Sequence, residues 1–217
     1  MTAEALRSGP VAAAIRQHRL VVVLRRVAPM SALLELVDEL ADAGARVFEV
    51  TFDAASAEAD LGAVRARLRL RSDGPYLTGA GTVLERSQLE AARRAGADFA
   101  VAPALDTALI NTAVAEGLPF IPGALTPTEL QTAWTAGATF VKLFPASAVG
   151  PTFVRELRGP MPSIALIPTG GVDGANAASF LEAGAVAVGI GGAITRADAA
   201  TRRAIVAAVA SAGRTER

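Results

Sequence analysis

The chain of 217 residues contains no cysteine, one histidine (His18) and one lysine (Lys142). Without cysteine there is no disulfide, no thiolate nucleophile and no cysteine-based metal site. His18 lies in an amphipathic N-terminal segment, far in sequence from every glycine-rich motif. The sequence therefore offers no Ser/His/Asp triad and no histidine-rich metal site, and neither metal nor cofactor is expected. An excess of charge is missing too: 21 basic residues balance 21 acidic ones. That argues against nucleic-acid and membrane partners. No basic-then-apolar signal pattern opens the chain, and no uninterrupted apolar run reaches about 18 residues. The reading is a soluble cytoplasmic protein.

What is present is a large apolar fraction, 52%, against 19% charged residues. This supports one sizeable core and excludes disorder. One phrase recurs along the chain: Ala43-Gly44-Ala45, Ala95-Gly96-Ala97, Ala136-Gly137-Ala138 and Ala183-Gly184-Ala185, with Glu116-Gly117-Leu118 doing the same job. Each ends a helical pattern and precedes a short β-rich run, since glycine just past a helix takes the left-handed conformation that closes the last turn. The expected strands are 20–25, 46–51, 76–82, 98–102, 118–122, 139–144, 164–169 and 185–190. They are Val/Ile/Leu/Phe-rich and not strictly alternating, as strands of a helix-covered parallel sheet should be. Helices are expected at 30–43, 55–69, 85–95, 106–116, 126–136, 150–158, 175–183 and 197–212, with an extra one near 2–18. Eight strand–helix units predict an α/β fold of the (β/α)8 TIM-barrel type, a single domain over 1–217, with a doubly wound open sheet as the structural alternative.

In such a barrel, chemistry collects where strands end. Lys142 sits in the apolar run Thr139-Phe140-Val141-Lys142-Leu143-Phe144-Pro145. Burial disfavours a lysine's charge, and the neutral amine is the nucleophile. Every other basic residue is arginine, whose guanidinium stays protonated and cannot form a Schiff base. Glu49 lies mid-strand, on one face with Val47 and Thr51. The pair reads either as a structural ion pair or as an amine nucleophile beside a general acid/base. Arg25, at the end of the first strand, is a candidate anion anchor or a rim residue. Pro168-Thr169-Gly170-Gly171-Val172 and Gly189-Ile190-Gly191-Gly192 place glycine pairs after the last two strands, where phosphate sites recur in this fold. Gly170, Gly171, Gly191 and Gly192 are therefore candidate phosphate-binding residues, and Thr169 can donate to a substrate carbonyl or carboxylate. Gly79-Ala80-Gly81-Thr82 brings backbone and a hydroxyl to the same mouth. Pro103, Pro122 and Pro145 stiffen strand exits, and Pro103 is counted with the substrate-binding candidates. Trp134 reads as core or interface, and the arginines at 65, 67, 69 and 71 as a solvated helix face.

Taken in order, Glu49-Val50-Thr51, Gly79-Ala80-Gly81-Thr82-Val83, Ile121-Pro122-Gly123, Val141-Lys142-Leu143-Phe144-Pro145-Ala146 and Pro168-Thr169-Gly170-Gly171-Val172 resemble the 2-keto-3-deoxy-6-phosphogluconate (KDPG) aldolases. That family includes 4-hydroxy-2-oxoglutarate (KHG) and 2-dehydro-3-deoxy-6-phosphogalactonate aldolases. The likeness runs from about residue 11 to 210. It implies a class I aldolase without metal, in which Lys142 forms the Schiff base and Glu49 is general acid/base. Thr82 and Thr169 would bind the keto-acid end, and the loops at 170–171 and 191–192 the distal phosphate. Members are commonly homotrimers.

Two departures from the family stand out. Many phosphogluconate-specific members carry an arginine four residues after the catalytic glutamate, where it binds the substrate carboxylate; here Asp53 stands there. Either its side chain points away or another cation takes over, Arg25 being the candidate by motif. If position 53 faces substrate, restoring arginine should strengthen keto-acid binding. Ala193 follows the last glycine loop where serine is frequent, so a hydroxyl contact to phosphate is missing. Asp53 and its context lean toward the phosphogalactonate branch. The expected reaction is cleavage of a 2-keto-3-deoxy-6-phospho-sugar acid to pyruvate and glyceraldehyde 3-phosphate. The alternatives are cleavage of unphosphorylated 4-hydroxy-2-oxoglutarate to pyruvate and glyoxylate, a phosphosugar isomerase or epimerase using Glu49 without an imine, and a non-catalytic phosphosugar-binding relic.

Overall fold

The computed structural model describes residues 1–212, and among them it holds nine short strands: β1 Leu20–Leu24, β2 Val47–Thr51, β3 Leu77–Gly81, β4 Phe99–Val101, β5 Phe120–Ile121, β6 Gly123–Ala124, β7 Val141–Leu143, β8 Leu166–Pro168 and β9 Val188–Ile190. All pairings are parallel, and the strands form curled sheets of order β5-β4-β3-β2-β1-β9 and β6-β7-β8. The expected strand over 118–122 holds β5, and a further piece, β6, continues past Pro122, where the strand was expected to end. Proline lacks the N–H that a ladder needs, yet its carbonyl still accepts from the Lys142 amide at 2.9 Å. A parallel bridge between Thr169 and Gly189 links the strand ends on the other side of the second sheet.

Before β1 stand α1 Ala3–Ser8 and α2 Pro10–His18, two helices where one was expected over 2–18. The break falls at Gly9-Pro10, with Pro10 as the first residue of α2, where its missing N–H is not needed. The remaining helices are α3 Met30–Asp42, α4 Ala57–Arg69, α5 Arg86–Arg94, α6 Thr107–Ala115, α7 Pro127–Thr135, α8 Gly150–Leu157, α9 Ala177–Glu182, α10 Gly192–Thr195 and α11 Ala199–Ser211. The expected helix over 197–212 is α11, and the four-residue α10 ahead of it was not anticipated. Several starts carry side-chain caps. Thr126 and Glu129 form a reciprocal capping box at α7, and Asp106 and Asp198 cap α6 and α11. Ends follow the recurring phrase: Gly44, Gly96, Gly117, Gly137 and Gly184 all have positive φ, between 74° and 108°.

The core divides into two clusters. The larger joins the helices to the outer face of the sheets, with Leu33, Leu36, Val37 and Leu40 of α3 as a typical buried stripe. Each such side chain contributes roughly 1.5–3 kcal/mol when fully buried. The smaller cluster lies on the concave face: Val21, Val47, Phe99, Val101, Ile121, Phe140, Ala165, Ile167 and Ala187, joined by Ala12 and Ile15 of α2. Alternation along each strand then dictates which side chains occupy the C-terminal ends of the same face. Glu49 shares the side of Val47, Lys142 that of Phe140, and Thr169 that of Ile167. Apolar side chains fill the deep end, and the polar ones sit above them.

Candidate active site

Lys142 and Glu49 come from β7 and β2, which belong to different sheets. Their side chains are only 4% and 3% exposed, and Nζ lies 4.0 Å from Oε1. That is an ion pair in reach but too long for a hydrogen bond. Glu49 Oε1 is buried with no hydrogen-bond partner among the described residues. A carboxylate oxygen left in this condition is costly in a resting fold, and it is available to a group entering beside the amine. The Phe144 ring stands 5.0 Å from Nζ and covers it on one side. Gly81 makes room for the acid: a Cβ there would overlap Glu49 Oε1 and lie 2.6 Å from Cδ.

Lys142 opens into a cleft of about 370 Å³, within the range for a small-molecule site. Arg25, Thr169, Gly170, Gly171, Gly191 and Gly192 also line it. Six residues picked out for chemistry, together with Lys142, are therefore on one wall system. A second cleft of about 510 Å³ adjoins it and shares Arg25, Gly191 and Gly192 while adding Arg26. Gly170 and Gly171 both have positive φ, 84° and 77°, a turn that a β-carbon would strain. The amides of Gly171, Val172, Gly192 and Ala193 donate to no backbone carbonyl among the described residues. Free N–H groups on a cleft wall suit an anion.

Arg25 is held by two contacts. It donates to Asp53 Oδ2 at 2.8 Å and to Thr82 Oγ1 at 3.2 Å. Arg26 joins from the next position, 3.2 Å from the same carboxylate oxygen, and donates to the Asp53 carbonyl at 3.1 Å. Thr51 donates to Asp53 Oδ1 at 2.7 Å. Partial burial pushes the Asp53 carboxyl up, but the Thr51 hydrogen bond and the charges of Arg25 and Arg26 outweigh it and hold the group below the usual aspartate value. Asp53 is therefore an anionic partner for the very cation that the motif offered as a substitute.

Thr82 adopts φ +56°, unusual for a β-branched residue. Such strain clusters at functional positions. Thr82 is buried and meets the cleft through Arg25 rather than lining it. Pro103 is not on the cleft wall either. Its carbonyl packs where a Cβ on Gly123 would sit, so it contributes packing at this position. Sequence reasoning missed Arg196, Asp173, Phe144 and Val23, all on the cleft wall. Arg196 had a signal, since it follows Gly192 by one helical turn; the pairing of Asp53 had none. No group of three His, Cys, Asp or Glu residues suited to a metal occurs among the described residues. The chemistry on offer is that of an amine, a carboxylate, guanidinium groups and backbone amides.

Known proteins resemble this chain over most of its length. A family model described as KDPG and KHG aldolase matches residues 11–209. The 2-dehydro-3-deoxy-6-phosphogalactonate aldolase of Escherichia coli (strain K12) is 35% identical over 185 residues, 85% of this chain and 88% of that protein. The solved structure of native KDPGal aligns with a TM-score of 0.78 at 34% identity, covering 87% of this chain and 93% of the other. A cube-shaped cage designed by fusing symmetric oligomeric domains contains a chain that aligns with a TM-score of 0.79 at 33% identity, over 90% of this chain and 72% of that one. With a family model spanning nearly the whole chain and a relative this similar over most of its length, the chain belongs to the KDPG and KHG aldolase family.

Proposed function

We propose that this protein is a class I aldolase that cleaves a 2-keto-3-deoxy-6-phospho-sugar acid to pyruvate and glyceraldehyde 3-phosphate. The observation that carries the reading is the buried Lys142 amine with the unpartnered Glu49 oxygen 4.0 Å away. The amine adds to the C2 carbonyl, and Glu49 relays protons as the carbinolamine loses water to give a protonated imine. Glu49 then takes the proton of the C4 hydroxyl. The C3–C4 bond breaks, its electron pair moves into the imine as an enamine, and C4 leaves as the aldehyde. Protonation of C3 and addition of water return the free amine and release pyruvate. Arg25 and Thr169 bind the keto-acid end, Thr82 steadies Arg25, and Gly170, Gly171, Gly191 and Gly192 face the phosphate.

The four amides of the cleft wall that donate to no backbone carbonyl favour the phosphorylated substrate over 4-hydroxy-2-oxoglutarate. The latter remains the second reading, because the family takes its name from both activities. We read the nine strands as eight staves of a closed barrel, the fifth interrupted at Pro122 and the ring completed through Thr169 and Gly189, which the parallel pairing supports. A homotrimer is the assembly we infer, consistent with a relative used as a symmetric oligomeric building block. No helix among the described residues is long and apolar enough to cross a membrane, and the cytoplasmic setting read from composition is kept as part of the proposal.

Borohydride reduction in the presence of pyruvate tests the core of this reading. The expected result is a stable mass adduct that maps to the peptide holding Lys142. Pyruvate binding without an adduct would overturn the imine and favour an isomerase on the same scaffold.

A further inference from the structure

The cleft mouth carries three guanidinium groups with unequal freedom. Arg25 and Arg26 are both committed to Asp53. Arg196, next after α10, lines both adjoining clefts and has no carboxylate partner among the described residues. Its guanidinium folds back over the glycine loop: Nη2 lies 2.7 Å, and Cζ 2.9 Å, from where a Gly192 side chain would begin. The loop's glycine thus makes space for a charge as well as for a turn. The neighbouring Ala193 has no hydroxyl to offer an anion. The nearest acid on that wall, Asp173, turns Oδ1 to the amides of Ala175 and Asn176 at 2.9 and 3.2 Å.

We propose that Arg196 is the side-chain anchor of the substrate's distal phosphate, supplying by charge what the loop lacks in hydroxyl groups. This rests on the aldolase reading above for the identity of the substrate, but not for the binding of the anion. An unpaired guanidinium beside free backbone amides provides the planar, charged donor that phosphate oxygens favour. The position also explains why the arginine is left unpaired: its partner arrives with the substrate. Because Arg196 sits at the rim and Lys142 at depth, the two ends of an extended substrate are gripped by different chemistry.

The test uses inorganic phosphate and the full chain. Phosphate affinity is measured by calorimetry for the wild type, Arg196→Gln, Arg196→Lys and Gly192→Ala. Loss of a charge-assisted contact predicts about 10- to 100-fold weaker phosphate binding in Arg196→Gln and partial recovery in Arg196→Lys. Gly192→Ala should weaken binding too, because the new methyl group displaces the guanidinium while the arginine remains. With phosphorylated substrate, Arg196→Gln should raise KM by a similar factor and change kcat much less. Equal phosphate affinity in wild type and Arg196→Gln would overturn the proposal. So would a rise in the pyruvate concentration needed for half-maximal borohydride trapping, which would assign Arg196 to the carboxylate end. Trapping in the wild type reports separately on the aldolase reading, since phosphate binding needs no imine.

Discussion

Lys142 and Glu49 face each other across the concave interior from strands that share no hydrogen bonds, each almost wholly removed from water. Their separation belongs to neither strand alone. It is set by the curl of the sheets, the apolar layer beneath and the missing side chain at Gly81.

Replacing Lys142 by arginine keeps the charge and removes the nucleophile, because guanidinium stays protonated. Turnover should fall on the order of 10⁴-fold or more, and borohydride should trap no pyruvate. Circular dichroism should show the fold retained. Residual cleavage well above background would remove Lys142 from its assigned role.

Glu49→Gln keeps the shape and loses the proton relay. Single-turnover rates should drop about 10²–10⁴-fold, while slow trapping of pyruvate on Lys142 persists. An unchanged rate would reduce Glu49 to a structural counter-ion.

Gly81→Ala places a methyl group on the Glu49 carboxylate. Overpacking at such a position costs roughly 1–3 kcal/mol. Denaturant unfolding should show that loss, and Gly81→Ala combined with Glu49→Ala should recover much of it. If the double variant is no more stable than the sum of the single ones predicts, the clash lies elsewhere.

Asp53 carries a pH signature. Its folded carboxyl titrates below the ordinary value, so its stabilising contribution is fully present above the unfolded value of about 3.9 and is lost as pH falls through the folded one. Asp53→Asn should be less stable than the wild type at neutral pH, and the urea midpoints of the two should converge below about pH 4. A gap constant with pH would contradict this. Asp53→Arg is now expected to weaken keto-acid binding. A third guanidinium would meet Arg25 and Arg26 and free Arg25 from the contact that aims it. Tighter binding in that variant would mean Arg25 needs no such support.

Much of this molecule was legible from its residues. The glycine phrases set the order of elements, because a left-handed helix end is a local requirement. Lys142 stood out because nothing else in the chain is a lysine, and Glu49 because a strand seldom carries an acid inward without purpose. The strand's continuation past Pro122 was missed, since a proline with no N–H to give a ladder reads as a strand's exit. The Asp53 clasp was illegible for a different reason. Its cationic partners, Arg25 and Arg26, lie more than 25 positions away, just past a strand whose end must approach it. Arg196 fell between the two cases: a helical turn after glycine is visible in sequence, but freedom from a partner is known only once every neighbour is placed.

Helix α2 seals the deep side of the interior with Ala12 and Ile15, packed among Val21, Val47 and Phe99. Substrate and products then pass through the cleft that Lys142 lines. On the function proposed above, the phosphorylated aldehyde is held at the glycine loops while pyruvate stays tethered to Lys142 until water reaches the imine. Departure is expected in sequence, aldehyde first and keto acid last, so pyruvate should inhibit competitively with substrate and the aldehyde should not.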